Sequence, residues 1–448
     1  FILSLGAYQA KGAFEVANEK PVVGALTVVT NKIDANDYGV EGDIAAEIEL
    51  SDQNNVQKIV LNTTLSDLSI PLNGRDLLTL KSGIIIGEAL LTENEPSITP
   101  SITLNAEFEE LRHPLVQSQQ ATFNVDQSAE DISFTLDASG TPSMPYQLNV
   151  DGNTQMSEDD VRSILMNIDG HVDQTEFELT EAVSATIKNE DLTVKPFTLE
   201  IGEGQITGSL ERVKNDITAK LAVVNTDINP ISYFLPVVPL DGILNGELEL
   251  SAVQNNLNGK YDFTVSELRT MSQIDQDFDL QMSGDVDNQN ANIIGTVTQD
   301  NLVNASFSAS LPLKIDQVNS IFAIADEEPI NGALDWQYEI SSVWPLFNLT
   351  GHDLRGEAVV ALKLAGTFSN PEVNGNVQLI DGRYENLDIG FVADNVDMNA
   401  SIKNRQMIID NLTATDGEQG TINATALVTV DEDLNYDAKA DLILSSAK

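Results

Sequence analysis

The chain has 448 residues, which is too long for one ordinary compact core, and 42% of them are hydrophobic, which argues against intrinsic disorder. Acidic residues outnumber basic ones by 70 to 23 and the formal net charge is −47, which excludes nucleic acid as a partner because phosphate binding needs a basic surface. The absence of cysteine excludes disulfides, thiol chemistry and cysteine–metal sites.

The N-terminal part, residues 1–200, is predicted to be a β-rich repeat segment whose family the residues leave open. Its best helix candidate lies near 157–168, where Ser157 is a good N-cap and acidic residues fill the first turn. Ile164 and Ile168 then fall on one helical stripe. We therefore expect a short helix at this place between strand-rich stretches.

Residues 201–448 alternate apolar and polar side chains with a period of two, which predicts strands that bury one face. Polar turns divide these strands into hairpins, at 206–223, 248–265, 278–297 and 422–444. A second short helix is predicted from Ile315 to Ala325. A weak cycle of about a hundred residues begins near Leu240 and again near Leu349, which indicates growth by addition of supersecondary units.

We expect the sequence to be a fragment of a larger protein. It begins at Phe1 with no methionine and no signal-peptide pattern, and it ends at Lys448 directly after a strand-like run. The nearly uncharged stretch from Ile228 to Leu240 is interrupted by prolines and is shorter than the ~20 residues of a membrane helix. A membrane anchor is therefore expected only outside this sequence.

Motifs for catalysis or metal binding are not found in the sequence. The histidines, His113, His171 and His352, stand apart from one another, and there is no HExxH, P-loop, G-x-S-x-G elbow or dinucleotide fingerprint. Carboxylates are so frequent that no acid–base pair stands out. We predict that the chain is not an enzyme and that it has no catalytic residue, metal or cofactor.

The aliphatic face that recurs from strand to strand has two interpretations. It could be an ordinary core, buried against a second sheet or against itself, and the alternation alone favours this. It could instead line an open groove for an apolar ligand.

One segment carries a recognisable motif, with Gly366 before a threonine, then Pro371, Gly375, Gly382 before an aromatic residue, and Gly390. Its order and spacing resemble a hallmark of the TamB family, the inner-membrane subunit of the translocation and assembly module. This family belongs to the AsmA-like superfamily of bridge-like lipid transport proteins. The resemblance extends from about residue 202 to residue 448. In such an array the glycines relieve crowding where a bent sheet turns and supply positive φ in tight turns.

The resemblance implies an all-β fold: an elongated, strongly curved antiparallel sheet of repeated hairpins that forms a U-shaped hydrophobic groove, β-taco-like, with one or two short helices. It implies a periplasmic bridge in a Gram-negative bacterium that conducts phospholipids between inner and outer membrane and supports outer-membrane biogenesis and protein assembly. The implied partners are phospholipid acyl chains, a TamA-like outer-membrane β-barrel that binds a region absent here, and the inner membrane, reached by an N-terminal helix also absent here.

Alternation selects the residues expected to line the groove, namely Ala358, Val360, Leu362, Leu364, Val428, Val430, Leu442 and Leu444. The main alternative function is a secreted or cell-surface acidic β-repeat adhesin or structural protein, for which the same face would be a dry core. A β-rich polysaccharide-degrading enzyme is a third interpretation, but no acid–base pair supports it.

Overall fold

The computed structural model describes residues 2–445 except 6–7, 17–19, 36–39, 72–76, 95–96, 114–115, 129–130, 157–160, 190, 215, 234–239, 255, 271–276, 300–301, 317–320, 343, 345–350, 418 and 431–435. Within the described residues the chain is almost entirely β, with 29 strands, one four-residue α-helix and one 3₁₀ turn. Every pairing between described strands whose register is defined is antiparallel, which confirms the predicted all-β antiparallel class.

The chain forms two compact units, and the first comprises residues 1–214 and 225–237. Its strands are β1 (Ile2–Leu5), β2 (Tyr8–Glu15), β3 (Val23–Ala35), β4 (Val40–Gln53), β5 (Val56–Pro71), β6 (Leu77–Asn94), β7 (Ser97–Arg112), β8 (Gln117–Ser128), β9 (Asp131–Thr141), β10 (Met144–Met156), β11 (Val161–Val172), β12 (Thr175–Leu179), β13 (Val183–Lys188), β14 (Asp191–Ile201) and β15 (Gly204–Val213). The helix α1 (Asn229–Ser232) also belongs to unit 1, and β16 (Asp216–Asp227) supplies residues to both units.

Unit 2 comprises residues 215–224 and 238–448. Its strands are β17 (Leu240–Val253), β18 (Asn256–Thr270), β19 (Phe278–Asp287), β20 (Asn290–Gln299), β21 (Leu302–Asp316), β22 (Ile321–Ile324), β23 (Asn331–Glu339), β24 (His352–Gly366), β25 (Pro371–Asn386), β26 (Phe391–Lys403), β27 (Gln406–Thr415), β28 (Thr421–Val430) and β29 (Tyr436–Ser445). A 3₁₀ turn, Ile340–Ser342, precedes β24.

Strands pair mainly with their neighbours in sequence. The predicted hairpins β17–β18, β19–β20 and β28–β29 form; for example, Ile422 lies opposite Leu444 and Leu248 opposite Tyr261. One strand position in unit 1 is shared by two segments, because β12 and β13 both lie between β11 and β14. The chain therefore builds each unit by adding one strand after another.

Bulges interrupt the long strands of unit 2 at a similar level. Register shifts occur between Arg355 and Glu357 on β24, beside Asp381 on β25 and beside Asn395 on β26. Gly356, Asp381 and Asn395 have positive φ values of 121°, 49° and 51°. A bulge bends its strand and increases the local twist, so the aligned bulges mark where these strands change direction.

Both predicted helices are wrong. The segment expected to be helical near 157–168 forms the strand β11, in which Ile164 and Ile168 lie opposite Thr154 and Val150 on β10. Ser157 lies outside the described residues. The segment from Ile315 to Ala325 contains the end of β21 and the strand β22, which pair as a short hairpin. In both places the spacing of apolar residues fitted a helix and a strand, and pairing with neighbouring strands decided the outcome.

A buried hydrophobic cluster of unit 2 lies beside the bulges. Leu379, Ala393, Val396, Ala414 and Ile422 form a cluster against which partly buried hydrophobic side chains pack. Many apolar side chains outside this cluster are only half-buried, as Leu362 and Leu364 of β24 are.

Candidate apolar ligand-binding face

Alternate side chains of unit 2 share one face, and these positions are apolar from β17 to β29. Directly opposite residues of an antiparallel pair point to the same face, so the register defines rows that cross the strands. One row is Gly246, Phe263, Met282, Gly295, Phe307, Leu334, Leu362, Gly375, Ile402, Met407, Val428 and Ala438. The next row is Leu244, Val265, Leu280, Val297, Ala305, Trp336, Val360, Val377, Ala400, Ile409, Ala426 and Ala440. We call this surface the apolar face of unit 2.

Neither row contains a charged or hydrogen-bonding side chain other than the indole N–H of Trp336. At ~4.8 Å per strand, a row that crosses all of these strands is about 50 Å long. The opposite face is polar: a representative row there is Ala333, Lys363, Asn374, Lys403, Gln406, Thr429 and Asp437. The sheet of unit 2 is therefore strongly two-sided.

The predicted groove-lining residues all fall on the apolar face. Ala358, Val360, Leu362 and Leu364 alternate along β24, opposite Leu379, Val377, Gly375 and Val373 of β25. Val428 and Val430 lie opposite Ala438 and Tyr436, and Leu442 and Leu444 lie opposite Ala424 and Ile422.

Their exposure increases toward β29. Ala358 is buried, Leu362 is half-buried, and Leu442 and Leu444 are 58% and 54% exposed. The side-chain surroundings of Val430 lie outside the described residues. The structure thus brings the predicted residues together as one surface, and much of that surface can be reached from solvent.

The motif residues have three different positions. Gly366, the last residue of β24, and Gly390, in the turn before β26, have φ values of 84° and 66°, which residues with a side chain rarely adopt. Pro371 is the first residue of β25, where its missing N–H removes no ladder bond that the strand interior needs. Gly375 lies on the apolar face under Leu362, and Gly382 is buried at the bulge beside Leu379. Both places lack room for a side chain.

Polar groups close one side of the face, beyond the bulges. A 2.7 Å hydrogen bond joins His352 Nδ1 and the hydroxyl of Tyr384, and the indole N–H of Trp344 donates to the carbonyl of His352 at 3.0 Å. The Tyr384 and Phe391 rings lie 6.2 Å apart. This small aromatic and polar group ends the aliphatic surface on β24–β26.

Carboxylates hold several of the basic side chains in unit 2, including Arg269 and Arg383. Hydrogen bonds to Glu385 and Asp394 raise the pKa of the Arg383 guanidinium, and a hydrogen bond to Asp241 raises that of Arg269. The Arg269–Asp241 contact is 2.7 Å. These cations are therefore neutralised locally and offer little free positive charge to an anionic ligand.

The sequence indicated the alternation on β18–β20, for example at Phe263, Leu280 and Val297, but selected no groove-lining residue on β17–β21, where glycines occupy some positions of the face. Aromatic rings cover these glycines from the neighbouring strand, as Phe263 does for Gly246 and Phe307 for Gly295. The paired spacing of a glycine and an aromatic residue in adjacent strands is the signal that could have identified this part of the face.

Unit 1 carries a row of the same kind. Its members are Gly12, Leu26, Ile48, Leu61, Gly87, Leu104, Val125, Phe134, Gly152 and Met166. The ring of Phe134 lies 2.6 Å from where a Cβ on Gly152 would be, so the covering of glycine by an aromatic ring recurs here. The strands within 1–200, which the sequence left unassigned, therefore repeat the two-sided pattern.

Among the described residues, no helix has the length and hydrophobicity needed to cross a membrane. Over the same part of the chain, no group of three or more His, Asp or Glu side chains is arranged to hold a metal ion.

The fold and the apolar face define a strand-repeat protein with a one-sided hydrophobic surface. Comparison with protein-family models, with curated proteins and with solved structures gives no match for this chain.

Proposed function

We propose that the chain binds the acyl chains of phospholipids along its apolar face and conducts them as part of a bridge between two membranes. The observation that carries the proposal is the length and continuity of the uncharged rows in unit 2. Surfaces that hold one ligand in one place usually combine apolar walls with a few fixed polar groups. These rows instead offer equivalent apolar positions from strand to strand, which suits movement along them.

The energetics favour such a surface. Exposing an acyl chain of about 16 carbons to water costs on the order of 12 kcal/mol of free energy, at ~0.8 kcal/mol per CH₂. A continuous aliphatic surface removes much of this cost and needs no catalytic group. One leaflet of the hydrocarbon core is about 15 Å thick, so a row of about 50 Å exceeds the length of a single acyl chain.

The resemblance to the TamB family supplies the cellular context of the proposal. The two membranes would be the inner and outer membranes of a Gram-negative envelope, and the chain would act in the periplasm in support of outer-membrane assembly. The TamA-like barrel and the membrane anchor belong to the same proposal.

The test compares two adjacent residues that face opposite ways. A photoreactive fatty acid is expected to label the wild-type chain and Ala361→Asp, since Ala361 is exposed on the polar face opposite Asp335. Labelling should fall about tenfold in Leu362→Asp, because a carboxylate on the apolar face repels an acyl chain. Leu442→Asp provides a second variant at an already exposed position, where loss of folding is not expected.

Equal labelling of Leu362→Asp and Ala361→Asp would refute the assignment of the face. Mass spectrometry of the purified chain gives an independent measurement, because a lipid-conducting protein should retain phospholipid. A chain that carries no lipid and is not labelled would favour the adhesin or structural function, in which the face is a dry core.

A further inference from the structure

The turn between β25 and β26 exposes an unusual concentration of large hydrophobic side chains. Leu387 is 68% exposed, Ile389 is 75% exposed and Phe391 is 40% exposed, all within five residues. Single exposed hydrophobic residues are normal on a protein surface, but three at the end of one hairpin are not. We call residues 387–391 the hydrophobic tip.

Four other turns contrast with this one, whereas Leu302 and Val303 at the start of β21 are also exposed, at 69% and 65%. Those at Asn54, Asp173, Asn288 and Asn404 present polar side chains. The turn at the opposite end of β25 exposes one hydrophobic residue, Phe368. The composition of the hydrophobic tip is therefore not a general property of hairpin turns in this chain.

Hydrogen bonds hold the hydrophobic tip in a defined shape. The side-chain oxygen of Asn386 accepts hydrogen bonds from the N–H groups of Asp388 at 3.1 Å and Ile389 at 3.3 Å. The N–H of Leu387 donates to the carbonyl of Gly351 at 2.8 Å. Apart from Gly390 and its two chain neighbours, no residue has an atom within 4 Å of where a Cβ on Gly390 would be, so this side of the turn stands clear of the protein. Inserting such a pre-organised tip costs little ordering entropy.

The exposed area indicates what the hydrophobic tip binds. Its three side chains expose roughly 300 Å² together, taking about 150–250 Å² for a fully exposed large side chain. A stable protein–protein interface buries about 800 Å² on each partner, so this patch is too small to hold a second copy or another folded protein by itself. A lipid surface accepts a small convex hydrophobic element, because its headgroup layer closes around the inserted residues.

The charges around the hydrophobic tip select among lipid surfaces. Asp388 lies within it, and the nearby cation Arg383 is already bound by Glu385 and Asp394. The negative charge around the hydrophobic tip would repel anionic headgroups but not zwitterionic ones.

We propose that the hydrophobic tip, Leu387–Phe391, inserts into lipid surfaces and prefers zwitterionic headgroups to anionic ones. This docking role is separate from conduction along the apolar face, because the tip is an outward turn and the rows lie within the strands.

The test measures binding of the whole chain to phosphatidylcholine vesicles by flotation. The double variant Leu387→Asn/Ile389→Asn should lower the partition coefficient roughly tenfold or more, because two inserted side chains lose their transfer free energy. Ile294→Asn is the matched control, since Ile294 is 60% exposed on the polar face of β20 and should bind as the wild type does. Ile389→Trp should show tryptophan quenching by brominated lipid, which reports insertion directly.

Vesicles that contain phosphatidylglycerol should bind less than phosphatidylcholine vesicles at low salt, and added salt should reduce the difference. The proposal is overturned if the double variant binds as the wild type does, if the wild type does not bind phosphatidylcholine, or if the Ile294 control loses as much. It is also overturned if light scattering shows a wild-type dimer that the double variant loses, because the tip would then contact a second copy. Fatty-acid labelling of the Leu362→Asp variant tests the apolar face without vesicles. Failure of the membrane-docking proposal is therefore distinguishable from failure of the proposed lipid conduction.

Discussion

Gly375→Ala is predicted to destabilise the strands that carry the apolar face. A Cβ on Gly375 would overlap the carbonyl oxygen of Ala361 and lie 2.9 Å from the Cα of Leu362. Because these are backbone atoms, β24 and β25 would have to separate locally, and overpacking of this kind costs about 1–3 kcal/mol. At 1.4 kcal/mol per factor of ten, amide exchange in 358–364 and 373–379 should become about 5- to 140-fold faster. Hydrogen exchange with mass spectrometry resolves these strands without assuming a two-state transition.

Gly87→Ala is the matched control, because Gly87 also lies on an apolar row. A Cβ added to Gly87 would lie 3.5 Å from its nearest neighbour, Leu104 Cδ1, which is an ordinary van der Waals contact. We expect slightly slower amide exchange there. Alanine lowers the conformational entropy of the unfolded chain and so stabilises the folded state by about 0.4–1 kcal/mol. If Gly375→Ala and Gly87→Ala change local exchange equally, close approach of the strands does not explain the glycine in the motif.

Three further predictions concern packing, pH and salt. Leu379→Ala should cost about 2–5 kcal/mol, measured by local hydrogen exchange on β25 and β26, because Leu379 is 4% exposed in the buried cluster of unit 2. The hydrogen bond from Lys81 lowers the pKa of Glu110, so this pair stabilises the folded state at neutral pH and its contribution fades as pH falls through that lowered pKa. The urea midpoint of Lys81→Met should therefore lie below that of the wild type at neutral pH, and the two midpoints should converge as the pH falls through the lowered pKa of Glu110. Raising NaCl from about 10 mM to 500 mM should raise the thermal midpoint, since a net charge of −47 repels itself and salt screens the repulsion; an unchanged midpoint would contradict this.

The regular part of the fold could be predicted from the sequence because alternation specifies both a strand and its buried face. In β28 and β29, the sequence placed Ile422, Val428, Leu442 and Leu444 on one side, and the register agrees. A slip of one residue would have moved every one of these side chains to the polar face. Alternation therefore identifies a strand and the face that each of its side chains occupies.

The failures have a physical reason in the competition between local and non-local interactions. In β11 the spacing of Ile164, Leu165 and Ile168 fits one stripe of a helix, but Ile164 and Ile168 also fit one face of a strand. The cost of leaving β10 without a partner strand cannot be read from this segment alone. The α-helix that the structure does contain, Asn229–Ser232, has Pro230 in its first turn, within the apolar stretch that the sequence analysis noted only as interrupted by prolines.

The positions of the glycines were harder to predict than the aliphatic positions. The motif residues Gly366 and Gly390 are explained by their turns, which the sequence indicated. Gly246 and Gly295 are explained only by aromatic rings on other strands, and those strand partners follow from register rather than from composition. Recognising the whole face requires knowing which residues are opposite one another.

The pairing of each strand chiefly with its sequence neighbours has an evolutionary consequence. Duplicating or deleting one hairpin would change a unit by two strands, about 9.6 Å, and would leave the direction of every other strand intact. The inserted residues would still alternate inward and outward in the old phase. A gene for such a protein can thus change the number of strands in a unit without redesigning the fold.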